Sequence, residues 1–370
     1  MENKNIIFID ETIREGMQHR GLVFSYLQRK KILEFQEALG IDICQAGYPC
    51  AHKNEAQSVK KLNDFVRSKN YKIKIEGMGR AYINDVKVLI KTGIKNFHLH
   101  GHIPFNAKKE KQNKIFSDIK ESIKYIREKV VKPKISIAML DIGKTDFNLL
   151  EKITDFFINK LNIEILSLPD TSGFLTPNLM YDKIKFAVKK NNKTKISIHC
   201  HNDMGMACAN TFMGIFAGAD IVEASVFGIG ERNGIADIFT MGNILENHGF
   251  KINLKIKNTE KFKEYYEYIN KIYKNQTNDE LFNYNTPFFG NGVKTHVAGT
   301  HNDFSFGITK QAKIFLNLLC GKKLVKKYLE SFDIPYKKDN LENITNQIKS
   351  KSAILNRRLF KEEIKNICKS

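Results

Sequence analysis

Short apolar runs alternate with longer amphipathic stretches from the N-terminus to about Gly249. The runs are Asn5–Ile9, Ile41–Gly47, Tyr71–Met78, Lys95–His100, Lys134–Leu140, Ile163–Leu168, Lys195–His199 and Ile221–Phe227. Between them, stretches such as Leu27–Leu39 and Phe147–Leu161 place apolar residues three and four apart, the period of a helix with one buried face. Eight strand–helix units with a repeat of about 30 residues predict a closed parallel (β/α)₈ TIM barrel. No glycine-rich nucleotide loop follows the first run, so an open doubly wound sheet fits less well. After Gly249 the pattern changes: Lys251–Asn278 is polar and helix-prone, Pro287–Gly307 is loop, and Gln311–Cys368 reads as several short helices. A catalytic barrel over 1–250 and a small, mainly helical domain over 251–370 are expected.

Composition narrows the setting. The 370 residues are 42% hydrophobic, ample for a large core, yet no apolar run approaches the roughly 20 residues that span a bilayer. The start, MENKNIIFID, lacks the layout of a signal peptide. The six cysteines form no C-x-x-C pair. A reducing, cytoplasmic setting is expected, with no membrane partner. The net charge of +20 comes mostly from lysines spread along helices and the C-terminal tail, without a nucleic-acid motif. A solvated lysine coat accounts for it, with attraction of anionic metabolites such as CoA phosphates as a second effect; no nucleic-acid partner is expected.

In such barrels the chemistry sits at the C-terminal ends of the strands. The first run ends in Asp10-Glu11-Thr12-Ile13-Arg14-Glu15-Gly16-Met17-Gln18, and the seventh in His199-Cys200-His201-Asn202-Asp203. Side chains two apart on a strand share a face, so His199 and His201 point one way and Cys200 the other, toward the helices. Glu15 completes a set of two imidazoles and one carboxylate with positions open for substrate, suited to one divalent ion: Zn²⁺, Mg²⁺ or Mn²⁺. Asp203 either joins it or caps the next helix. His98, His100 and His102 alternate at the end of the fourth run; without an accompanying carboxylate they read as one substrate-facing histidine, His98, with two satisfied neighbours.

Four motifs then fall in order. D-E-T-I-R-E-G-M-Q resembles the first-strand signature of the DRE-TIM metallolyases. Leu168-Pro169-Asp170-Thr171-Ser172-Gly173 with Thr176-Pro177, then H-C-H-N-D-M-G, then Gly228-Ile229-Gly230-Glu231-Arg232-Asn233-Gly234, resemble the succession in isopropylmalate and homocitrate synthases. Thr295–His301 is similar to the histidine loop of their linker domain. The resemblance implies a Claisen-type acyltransferase that joins acetyl-CoA to a 2-oxo acid. It implies Glu15, His199 and His201 as metal ligands and Arg14 as oxyanion stabiliser. Gln18 and Thr171 would orient the 2-oxo acid, and His296 or His301 would be a catalytic histidine reaching across a homodimer.

The chain also departs from that pattern. Met17 replaces a glutamate, Leu140 stands where the catalytic glutamate is usual with Asp141 as the nearby substitute, and Ile235 stands where many relatives carry asparagine. No arginine near Ser136 suits the far carboxylate of 2-oxoglutarate. Met17 and Leu140 suit the alternative, a metal-dependent carbon–carbon lyase or aldolase resembling hydroxymethylglutaryl-CoA lyase. The G-I-G-E-R turn and the long C-terminal domain favour the synthase.

Overall fold

The computed structural model describes residues 4–104, 107–189, 193–296 and 313–369. It divides into two compact units, Met1–Leu281 and Phe282–Ser370.

In the first unit all eight apolar runs are strands: β1 Asn5–Asp10, β2 Ile43–Gln45, β3 Lys74–Arg80, β4 Asn96–Gly101, β5 Lys134–Met139, β6 Ile165–Ser167, β7 Lys195–Ile198 and β8 Ile221–Ala224. They pair in parallel in sequence order, and β1 pairs with both β8 and β2, closing the barrel. Parallel neighbours need a long crossover, and a helix follows each strand. These are α1 Tyr26–Leu39, α2 Lys53–Lys69, α3 Ile83–Lys91, α4 Lys109–Lys129, α5 Phe147–Thr154, α6 Pro177–Lys189, α7 Ala207–Ala217 and α8 Ile238–Asn247. The expected helix Phe147–Leu161 is α5 continued by a π-helical stretch, Asp155–Lys160. Helix starts follow capping chemistry: Ser25 and Gln28 form a reciprocal box at α1, and Asp146 and Asp237 cap α5 and α8.

The polar stretch after Gly249, expected with the second domain, belongs to the barrel unit. A short strand, β9 (Lys251–Ile252), pairs with β1, and α9 (Thr259–Thr277) packs on α1, with Phe35 stacked on Tyr265 at 5.3 Å between ring centres. Adjacent tyrosines of α9 reach two buried aspartates. Tyr265 donates to Asp10 at 2.9 Å, and Tyr266 donates to Asp237 at 2.6 Å. One helix thereby ties the end of β1 to the start of α8.

The barrel interior has two levels. Ile9, Ile43, Ile165 and Ile221 form an apolar plug. Toward the C-terminal ends a polar level replaces it, with Glu11, Gln45, Glu76, His98, Ser136, Ser167, Ser197 and Glu223 all buried. Buried polar groups are tolerated when they satisfy one another. Ser167 and Ser197 both donate to Glu223, at 2.7 and 2.6 Å, and Gln45 donates to Glu76 at 2.9 Å.

The second unit is mainly helical, as expected. Helices α10 Lys322–Ser331, α11 Leu341–Leu355 and α12 Lys361–Lys369 enclose a core that includes Leu324, Leu329, Ile344 and Ile364. A short parallel pair, β10 Thr295–His296 and β11 Lys313–Ile314, completes it.

Candidate active site

The C-terminal ends of the strands surround a cavity of about 540 Å³. Arg14, Glu15, Gln18, His98, Thr171, His199 and His201 all line it. Seven of the ten residues singled out from the sequence therefore meet at one place.

Arg14 and Glu15 sit in a tight turn directly after β1. The guanidinium is the hub: Nε donates to Gln45, one terminal nitrogen to Glu15 and to Gln18 (3.0 Å), and the other to Glu11 (2.9 Å). Glu15 is also cradled by the G-I-G-E-R turn. The backbone N–H of Glu231 donates to its carboxylate at 2.9 Å, and a Cβ on Gly230 would stand 2.8 Å from the same oxygen, so only glycine leaves room. Burial works most strongly against ionisation of Glu15, but Arg14, His199 and the Glu231 backbone N–H together outweigh it and hold the carboxyl below its ordinary value.

His199 and His201 share a face as the alternation requires, with their Nε2 atoms 3.3 Å apart. Cys200 is fully buried on the opposite face, close to Thr211 of α7. The other nitrogen of His199, Nδ1, lies 2.9 Å from Glu11 and 3.3 Å from Glu223. Burial favours the neutral imidazole, but these two carboxylates overcome it and raise the His199 pKa. His201 is pushed down by burial and by the neighbouring His199. Burial likewise opposes a charged Glu223, yet the neighbouring His199 and His98 and the hydrogen bond from Ser197 hold it well below the carboxylate range.

The donor set fits a divalent cation. Two imidazole nitrogens, each about 2.0–2.1 Å from one tetrahedral ion, stand about 3.3–3.4 Å apart, which is the His199–His201 separation. Ligand atoms of Glu11, Glu15 and His199 lie within 4.8 Å of one another. One oxygen of Glu11 is buried without a hydrogen-bond partner.

The remaining candidates divide. His98 lies at the cavity wall, buried, with Nδ1 3.7 Å from Glu76. The Thr171 hydroxyl accepts from the backbone N–H of Asp141 at 3.0 Å. Asp141 itself does not line the cavity. Its backbone is left-handed (φ 66°), and its carboxylate accepts from Ser172 and pairs with Lys144, both at 2.9 Å. As a substitute for the missing glutamate it is therefore turned away. Asp203 neither joins the cluster nor caps a helix; it forms a two-pronged pair with Arg232 at 2.9 and 3.0 Å. His301 and the imidazole of His296 lie outside the described residues.

The sequence reading missed Glu11 and Glu223. Both carry a signal, a carboxylate in or against an apolar strand, where an unpaired charge is costly and a partner must be close.

Fold and site together define a (β/α)₈ barrel with a carboxylate–imidazole cluster at its strand ends. The chain belongs to the HMGL-like family, whose model matches residues 5–265, in accord with the DRE-TIM resemblance. A probable 2-isopropylmalate synthase of Methanosarcina acetivorans is 28% identical over 370 residues, covering 94% of this chain and 68% of that protein. The 2-isopropylmalate synthase of Sulfurisphaera tokodaii is 28% identical, covering 94% of this chain and 91% of that protein. Among solved structures, hydroxymethylglutaryl-CoA lyase from Pseudomonas aeruginosa aligns with a TM-score of 0.62 at 13% identity, over 74% of this chain and 94% of that one. Identity that low speaks to the fold alone.

Proposed function

We propose that the protein is a Claisen-type acyltransferase that condenses acetyl-CoA with a 2-oxo acid to a 2-hydroxy diacid, with one divalent ion at the barrel mouth. The observation that carries this reading is the convergence of Glu15, His199 and His201 beside Arg14 on one cavity, in a chain similar over most of its length to 2-isopropylmalate synthases.

Glu15 and the Nε2 atoms of His199 and His201 would hold the ion. Glu11 and Glu223 would receive the Nδ1–H of His199 and so fix which nitrogen faces the ion. When bound, such an ion acts as a Lewis acid on the ketone of the 2-oxo acid. Arg14 offers fixed positive charge to the oxygen that becomes an alkoxide, and Gln18 and Thr171 orient the acid's carboxylate. A proton leaves the thioester methyl group, the resulting enolate carbon bonds to the ketone carbon, and the ketone oxygen takes up the charge and then a proton. Water then cleaves the thioester, releasing the CoA thiol and making the condensation irreversible.

The cavity wall favours an aliphatic acceptor. Met17, Met78, Ala138 and Leu140 are apolar, and among the described residues Arg14 is the only arginine or lysine in the lining, already paired with Glu11 and Glu15. A second substrate carboxylate, as in 2-oxoglutarate, would be buried there without a partner. His296 or His301 of a second subunit is part of the proposal as a further proton-transfer group. Mixing a His296→Ala, His301→Ala double variant with an Arg14→Ala variant should then recover activity through hybrid dimers.

The test is release of free thiol from acetyl-CoA by the purified, metal-loaded protein against a panel of 2-oxo acids. Branched aliphatic acids should give the fastest release. Cleavage of hydroxyacyl-CoA substrates without thiol release on the panel would instead favour the lyase.

A further inference from the structure

Condensation needs a base that takes a proton from the thioester methyl group, and almost every acceptor around the cavity has another task. Glu15, His199 and His201 form the ion cluster described above. Glu223 accepts from two serines and lies 3.3 Å from Nδ1 of His199, and Glu55 is paired with Arg29 at 2.6 Å. Glu231 lies 3.4 Å from the Arg232 guanidinium. The Nδ1 of His52 accepts from the Asn54 backbone and caps α2. His98 is buried in the polar level beside Glu76. His98 Nδ1 also lacks a hydrogen-bond partner, but that ring is buried, whereas His100 is only half-buried. Among the described residues no side chain or backbone group hydrogen-bonds to the His100 ring, whose only close aromatic neighbour is Tyr48, at 6.1 Å between ring centres.

Its position also suits the task. His100 lies two residues beyond His98 on β4 and is paired in register with Ala138 of β5, so it stands higher at the mouth, near Leu140. Both His100 and Leu140 also line a second groove of about 380 Å³ that contains Arg80, Tyr82 and Lys111. His100 thus stands where the deep cavity with the ion cluster meets an outer groove with two cationic side chains. A base at this junction is within reach of substrates entering from either side, the proximity that proton abstraction requires.

We propose that His100 is the general base of the condensation, taking the methyl proton of the acyl thioester onto a ring nitrogen. This rests on the condensation reading above. The C–H electron pair becomes the enolate, which forms the new carbon–carbon bond, and the proton on His100 is passed to solvent before the next turnover. The neighbours keep the ring unprotonated at neutral pH, at some cost to its basicity. Burial first, then His98 and Arg14, lower its pKa to about 4, while Asp85 opposes them and Arg80 adds to them. The imidazole is therefore neutral at pH 7, and a substrate carboxylate bound beside Arg14 offsets part of that positive field and strengthens the base.

The test uses the full-length, metal-loaded protein with acetyl-CoA and the best 2-oxo acid from the panel. His100→Gln and His100→Asn should each lower kcat by at least about 100-fold while the KM for the 2-oxo acid stays within about threefold. The acid limb of the wild-type kcat profile should disappear, and added imidazole should restore part of the activity of His100→Ala. Active wild type with Gln and Asn variants within about threefold of it would overturn the assignment and leave the condensation reading intact. So would a loss of activity that neither changes the pH profile nor responds to imidazole. Wild type that releases no thiol with any 2-oxo acid would overturn the condensation reading, and the base with it.

Discussion

Replacing Arg14 with lysine tests the hub of the site. The guanidinium spreads its donors over Gln45, Glu15, Gln18 and Glu11, and its side chain is only 10% exposed. A lysine carries one nitrogen on a different stem and can face the two carboxylates, but it cannot also serve both glutamines. A hydrogen bond to a charged group is worth about 1.5–3 kcal/mol, so two lost bonds cost roughly 3 kcal/mol at the low end. For a unit of this size that corresponds to a fall in Tm of about 6–12 °C. The alkoxide loses a planar, fixed charge as well, so kcat should fall at least about tenfold, or roughly 1.4 kcal/mol of transition-state stabilisation. Thermal unfolding by circular dichroism and thiol release on the same preparation measure the two effects. A variant within about 2 °C and about twofold of wild type would show that the forked geometry of Arg14 does nothing a point charge cannot.

Three further outcomes are expected. Exhaustive chelation should abolish thiol release and lower Tm, Zn²⁺ or Mn²⁺ should restore both, and His201→Ala should fail to regain one ion per chain by elemental analysis; full activity without metal would end the metal assignment. Tyr265→Phe removes a hydrogen bond to buried Asp10, and the loss of about 1–3 kcal/mol should appear as reduced chemical stability; an unchanged unfolding midpoint would contradict it. Burial raises the Asp85 carboxyl, but hydrogen bonds from Arg80 outweigh it and hold it below the ordinary 3.8, so its contribution is present above that pH and is lost as pH falls through the lower folded value. The Tm gap between wild type and Asp85→Asn should therefore be wider at pH 6 than at pH 3, and an equal gap would refute the pairing.

Much of the barrel was legible because a parallel strand is buried on both faces and reads as a continuous apolar run. Alternation alone put His199 and His201 on one side and Cys200 on the other. It could not say which polar residues fill the barrel, since Glu11, just after β1, and Glu223 of β8 become partners only when they meet His199, just after β7. The direction of Asp141 is not legible from alternation, because alternation ends with the strand and one left-handed residue turns its carboxylate to Lys144. The change in polarity near residue 250 suggests a domain boundary there, whereas the first compact unit runs to Leu281. Tyr265 and Tyr266 carry α9 back to the barrel through bonds to Asp10 and Asp237, 255 and 29 residues distant, which no local pattern reveals.

The most direct measurement follows the carbon itself. Acetyl-CoA labelled with ¹³C in the methyl group is incubated with the metal-loaded protein and 3-methyl-2-oxobutanoate, an aliphatic acid that suits the cavity wall, and the products are read by NMR. The account predicts that the label moves into the methylene carbon of a 2-hydroxy diacid, one equivalent for each thiol released. Label recovered only as acetate or unreacted acetyl-CoA, with every 2-oxo acid of the panel, would contradict it.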